Sequence, residues 1–144
     1  MSITTILQRK GADVATIGPD DALTAAVALL SRERIGALVV VDGERIAGIL
    51  SERDVVRRLA EDGAGALACQ VRDVMTPDVT TCAPDAAIND VMATMTNYRV
   101  RHVPVVDGGR LTGIVSIGDV VKHRIVELET ETESLQEYVT GRGY

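Results

Sequence analysis

The sequence contains no phenylalanine and no tryptophan, and only three tyrosines. It therefore lacks the aromatic platforms on which single-stranded nucleic-acid binders stack bases. Basic side chains are outnumbered, 15 against 21, for a formal net charge of −6. That balance argues against a general nucleic-acid surface. Long apolar runs are missing as well: the stretch from Ala22 to Leu30 is too short to span a bilayer and includes Thr24. No basic segment followed by an apolar one starts the chain, so secretion is not expected. The two cysteines, Cys69 and Cys82, have neither metal-ligand nor redox spacing. They read as reduced thiols in a cytoplasmic protein. No Ser-His-Asp or Cys-His set is visible, and the expectation is a protein that is not an enzyme.

What is present is an internal duplication. Gly48-Ile49-Leu50-Ser51-Glu52-Arg53-Asp54 is followed by Val55-Val56, and Gly113-Ile114-Val115-Ser116-Ile117-Gly118-Asp119 by Val120-Val121. Sliding residues 14–56 onto 79–121 without a gap gives 18 identities in 43 positions. Average composition would give roughly three or four by chance. At 144 residues the chain can build a real core. Each half has about 60 residues, a size that is marginal alone, so the halves are expected to pack on each other.

Each half reads as β-α-β-β-α. In the first, Val14 to Ile17 suggests a strand, and Gly18-Pro19-Asp20-Asp21 opens a helix with Leu23, Val27 and Leu30 on one face. A hairpin follows, Leu38 to Val41 and Ile46 to Leu50, turning at Asp42-Gly43. Ser51 then starts a helix to about Glu61. Gly63 and Gly65 suggest a loop. The second half repeats the order: strand Val79 to Cys82, a helix after Pro84-Asp85 burying Ile88, Met92 and Met95, a hairpin over Val103 to Val106 and Leu111 to Val115, and a helix from Ser116. Before the first half, Ser2 can cap a helix from Ile3 to Lys10. The last helix carries Val121, Ile125, Leu128, Thr132, Leu135 and Val139 at coiled-coil spacing. That stripe fits either self-association or packing along its own domain, and the first leaves open an alternative function, a structural homodimerisation or assembly module with no small-molecule ligand.

The repeated turn has two readings. Ser51 with Asp54, and Ser116 with Asp119, match a capping box, in which hydroxyl and carboxylate satisfy each other's backbone N–H groups. The same atoms suit a nucleotide. A helix N-terminus favours phosphate, and a carboxylate one turn in can accept both ribose hydroxyls. Gly48 and Gly113 allow close approach to the backbone, and Ile49 and Ile114 can line a purine.

Over about residues 12–125 the sequence resembles a CBS-domain pair, or Bateman module. The features that carry the resemblance are the two Gly-apolar-x-Ser-x-x-Asp turns, Val74-Met75-Thr76-Pro77, Arg101-His102-Val103-Pro104-Val105-Val106-Asp107, and the repeated element order. The tail after Ile125 resembles that of stand-alone bacterial members. The resemblance implies a mixed α/β (α+β) fold of two tandem repeats packed about a pseudo-twofold axis, plus a C-terminal helix. The expected divisions are an N-terminal helix over 1–11, a first repeat over 12–61, a linker over 62–73, a second repeat over 74–125 and a helical tail over 126–144. It further implies a regulatory module that binds AMP, ADP, ATP, NAD or S-adenosylmethionine between its repeats and has no catalytic cofactor or metal. A homodimer and an unidentified regulated protein are the expected partners, with no nucleic acid or membrane. By resemblance Asp54 and Asp119 hold ribose, Ser51 and Ser116 touch sugar or phosphate, and Ile49 and Ile114 line the base. Arg101 and His102 bind phosphate, and Thr76 and Pro77 touch the ligand.

The halves differ at this machinery. Arg101, His102 and Pro104 correspond to Gly36, Ala37 and Val39, while Arg53 corresponds to Gly118. This asymmetry predicts unequal clefts, with the Asp119 cleft the better phosphate site, the Asp54 cleft relying on Arg53, and Arg101 and His102 open to sharing by both. Among the remaining candidates, His102 has no second His or Cys at ligand spacing and reads as a phosphate contact or a surface hydrogen bond. His123, in Lys122-His123-Arg124, reads as solvated, and Arg57 and Arg58 as surface charge, although either could reach a long ligand. Arg34 and Arg99 occupy equivalent positions and fit either a polyphosphate site or a helix-end salt bridge.

Overall fold

The computed structural model describes residues 1–140. Its elements run α1 (Ile3–Lys10), β1 (Thr16–Ile17), α2 (Leu23–Glu33), β2 (Ala37–Asp42), β3 (Arg45–Ser51), α3 (Glu52–Asp62), a 3-10 helix (Gly63–Ala68) and α4 (Val71–Val74). The second half supplies α5 (Ile88–Tyr98), β4 (His102–Asp107), β5 (Arg110–Ser116) and α6 (Ile117–Val139). The β2–β3 and β4–β5 hairpins pair in the same register, each with an irregularity at the equivalent place, Val40/Val41 and Val105/Val106.

The first sheet has a third strand, β1, parallel to β2. The strand expected at Val79–Cys82 does not form; a single bridge, Cys82 to Val105, stands in its place. The cause is one residue. In the first half the Val39 N–H donates to the Ala15 carbonyl (3.2 Å). The equivalent of Val39 is Pro104, which has no N–H to extend the ladder.

The halves complete each other. One core holds Ile17, Leu23, Leu30, Leu38, Val40, Leu50 and Val55 of the first half together with Val71 of α4. The other holds Ile88, Val91, Met95, Val103, Val105, Val115 and Val120 together with Ile3 and Ile6 of α1. So α1 belongs to the core of the half that follows much later in the chain, and the expected linker is packed structure rather than a loop, with Ala66 and Val71 fully buried. Within α2 the buried stripe is Leu23, Ala26 and Leu30, and Val27 is turned outward. In α5 Met95 is buried and Met92 lies at the edge of the core. Ser2 occupies the α1 N-cap without a side-chain capping bond.

On α6 the inward positions are Val120 and His123, one turn apart. The coiled-coil stripe faces outward: Val121, Ile125 and Leu128 are each 45–50% exposed. His123 is buried, not solvated. Its charged neighbours Lys122 and Arg124 face solvent, but spacing of three from Val120 brings the ring under α1.

Candidate ligand-binding clefts

Both repeated turns are capping boxes. The Ser51 N–H donates to Asp54 Oδ2 (2.9 Å) and the Asp54 N–H to Ser51 Oγ (3.2 Å). The Ser116 N–H donates to Asp119 Oδ2 (2.8 Å) and the Asp119 N–H to Ser116 Oγ (3.1 Å). Each box fixes one carboxylate oxygen, Oδ2, of an aspartate that lines a cleft between the halves. The capping role and a binding role are compatible, because a carboxylate has several acceptor sites.

Each cleft takes its carboxylate from one half and its opposite wall from the other. The Asp119 cleft, about 660 Å³, joins Ile114, Ser116 and Asp119 to residues 13–16 and 33–37 of the first half. The Asp54 cleft, about 240 Å³, joins Ile49, Ser51, Arg53, Asp54 and Thr76 to residues 78–80 and 99–102 of the second. Arg101, open to sharing on the sequence reading that favours the Asp119 cleft for phosphate, borders only the Asp54 cleft, because the halves pack crosswise. His102 borders both clefts. Pro77 lines neither; it borders a separate shallow hollow with Ile46 and Asp78. Arg57, read as surface charge that could reach a long ligand, stands at the Asp54 cleft. Arg34 and Arg99 line equivalent walls and make no ion pair among the described residues.

A close approach explains the glycines. A Cβ on Gly48 would lie 2.8 Å from the Thr76 carbonyl, and one on Gly113 2.8 Å from Leu7 Cδ2. Thr76 is held there by a reciprocal backbone bridge with Ile49, N to O 3.0 and 2.9 Å, and its hydroxyl reaches Asp54 Oδ1 at 3.3 Å. In the second half one side chain replaces that whole arrangement. Lys10 Nζ donates to the Ile114 carbonyl (2.9 Å) and to Asp119 Oδ2 (2.7 Å). Burial pushes the Asp119 carboxyl up, but the Lys10 ammonium and the Ser116 N–H outweigh it and hold the group below its ordinary value. Sequence reasoning missed Lys10. Its partner is 109 residues away, and no local pattern links them.

The His102 ring forms the partition. A Cβ on Gly36 would meet its Cε1 and Nε2 at 3.2 Å, so the absence of a side chain at 36 makes room for the imidazole. Burial lowers the His102 pKa; Glu52 and Asp119 pull it upward, while Lys10 and Arg101 push it down. The imidazole is thus held toward its neutral form.

The CBS domain model matches residues 6–61 and 71–125, the two halves just described. The chain belongs to the CBS domain family. This CBS pair is similar to the crystal structure of the CBS-domain protein ATU1752 from Agrobacterium tumefaciens, with 44% identity, a TM-score of 0.84, and coverage of 86% of this chain and 99% of that one. It is 36% identical over 130 residues to the mitochondrial CBS domain-containing protein CBSX3 of Arabidopsis thaliana, covering 87% of this chain and 63% of that protein. It thus spans less than two thirds of that relative. A third similarity is to the CBS domain pair of protein MJ0100, solved with 5′-methylthioadenosine and S-adenosyl-L-methionine, at 25% identity, a TM-score of 0.78, and coverage of 88% and 98%. No helix among the described residues is long and apolar enough to cross a membrane.

Proposed function

We propose that this CBS pair is a regulatory module that binds adenosyl ligands in its two clefts and passes their occupancy to a partner protein. The observation that carries the reading is the duplicated cleft. In both, a helix-capping aspartate presents its carboxylate beside an apolar strand end, Ile49 or Ile114, across from the other half. A purine fits the apolar end and a ribose diol the carboxylate. The adenosyl compounds in the MJ0100 structure support the same ligand class. Because each cleft is built from both halves, a ligand there favours one relative placement of the halves. It can signal only if it binds that placement better than the alternatives.

The experiment is thermal melting of ligand-free protein against AMP, ADP, ATP, NAD and S-adenosylmethionine, with Asp54→Ala and Asp119→Ala alongside. A ligand at 100 times its dissociation constant adds about 2.7 kcal/mol of stability. A shift that disappears with the aspartates supports the reading; no shift with any compound refutes it.

The outward stripe of α6 supports a second role, assembly with another copy of the chain. Val121, Ile125, Leu128 and Leu135 keep heptad spacing while 45–65% exposed. Light scattering of the chain and of Ile125→Glu/Leu128→Glu tests it: a dimer that becomes a monomer is the expected result.

A further inference from the structure

The two clefts follow one plan but differ in charge. Four arginines border the Asp54 cleft, Arg53, Arg57, Arg99 and Arg101, against three carboxylates. None of these guanidiniums has a side-chain hydrogen bond or ion-pair partner among the described residues. Arg99 caps the end of α5 at φ 54, as its counterpart Arg34 caps α2 in the other cleft, so backbone conformation does not distinguish the two. All four are exposed at the cleft rim, free to close on an anion.

The Asp119 cleft has lost most of this set. Arg101 is replaced by Gly36 and Arg53 by Gly118. The equivalent of Arg57 is Lys122, which does not line this cleft but an adjoining small cavity that shares Lys10 and Asp119 with it and also carries Arg9 and His123. Only Arg34 keeps its counterpart's place, and the one other cation, Lys10, is already bonded to Asp119. Against these stand Asp13, Glu33 and Asp119.

We propose that the clefts divide ligands by charge: the Asp54 cleft takes an adenosyl ligand bearing a di- or triphosphate, and the Asp119 cleft takes one whose 5′ substituent is neutral or cationic. This rests on the adenosyl reading above and adds which ligand goes where. In the narrow Asp54 cleft the nucleoside lies against Ile49 and Asp54, and the phosphate chain runs outward over the rim arginines. Guanidinium groups suit that task, since they bind phosphate oxygens in pairs. In the Asp119 cleft a phosphate chain would meet Glu33 and Asp13, whereas a sulfonium or thioether would not be repelled.

The test is calorimetric titration of the full, ligand-free chain with ATP and with S-adenosylmethionine. The expected result is one ATP per chain, weakened about tenfold by Arg101→Ala, the loss of one charge-assisted hydrogen bond. S-adenosylmethionine binding is instead lost in Asp119→Ala. Added salt weakens ATP more than S-adenosylmethionine. Gly118→Arg transplants the counterpart of Arg53. A Cβ there meets only Ser116 Oγ at 3.6 Å, so the backbone accepts a side chain, and the variant raises the weak ATP affinity of the Asp119 cleft. ATP affinity that falls with Asp119→Ala and holds in Arg101→Ala overturns the division while leaving the adenosyl reading intact. Failure of every adenosyl compound to bind overturns both.

Discussion

Replacing Gly48 and Gly113 with alanine, one at a time, compares the two copies of the repeated turn at the point where each meets its neighbour. At Gly48 the new methyl would lie 2.7 Å from Met75 Sδ and 2.8 Å from the Thr76 carbonyl. Met75 can turn aside, but the carbonyl is main chain and is fixed by the Ile49 N–H at 3.0 Å. At Gly113 the methyl would meet Leu7 at 2.8, 2.9 and 3.5 Å, all side-chain atoms of a partly buried residue. Overpacking that moves backbone costs about 1–3 kcal/mol. Removing a glycine from a strand returns about 0.5–1 kcal/mol of unfolded-state entropy. Gly48→Ala is therefore expected to lose about 1–2 kcal/mol, and Gly113→Ala to stay within about 0.5–1 kcal/mol of the parent. For a chain of this size that is about 3–8 °C against about 0–3 °C in melting temperature. Ligand-free thermal and urea melts measure both. Equal losses, or a larger loss at Gly113, would refute the argument that Thr76 is the rigid neighbour and Leu7 the yielding one.

Lys10→Met should lower stability by about 1 kcal/mol at neutral pH, the scale of a partly exposed pair. Because the folded Asp119 carboxyl lies below its unfolded value of 3.8, its contribution is complete above that pH and lost as pH falls through the folded value; the gap between variant and parent should close in acid, as pH-dependent melts will read. His102 has the opposite chemistry: burial lowers its pKa from 6.5, so stability should fall as pH drops from there toward the folded value, and His102→Gln should flatten that slope. If a phosphate chain lies beside His102, binding should take up protons on the acid side of the ring's ordinary value, visible as an enthalpy that changes with the buffer's ionisation heat. Ser51→Ala and Ser116→Ala should each cost about 0.5–2 kcal/mol in urea melts, as lost helix caps do.

Features that are local or repeated were legible in the sequence. Ser51 with Asp54 and Ser116 with Asp119 are three residues apart and do make capping boxes. The hairpins were legible for the same reason. Contacts set by the packing of one half on the other were not. Lys10 meets Asp119 only because α1 crosses to the second half. Arg101 borders the Asp54 cleft alone, where the sequence left it open to both, since spacing within a repeat does not say which repeat it will face. Two misreadings did leave a signal. Pro104, aligned with Val39, removes the N–H that a strand at residues 79–82 would need. His123 stands three residues after Val120, on the buried face, although its neighbours are charged.

The crosswise construction explains how one plan gives two different clefts. The aspartates are tied to the fold, because each caps the helix that leaves its hairpin. A change there weakens the fold whatever the cleft holds. The rim positions carry no such duty: Gly36 stands where the other copy has Arg101, and Gly118 where it has Arg53, without altering the hairpins. Charge can therefore differ between clefts while the carboxylate stays. The one position not free in this sense is Gly36, because its counterpart's neighbour, His102, fills the space beside it. A Cβ at 36 would press on the ring that borders both clefts at 3.2 Å, so the histidine beside Arg101 and the glycine of the other copy are parts of a single arrangement. Any movement of His102 on one side therefore changes the wall of the other, because the same ring lines both clefts.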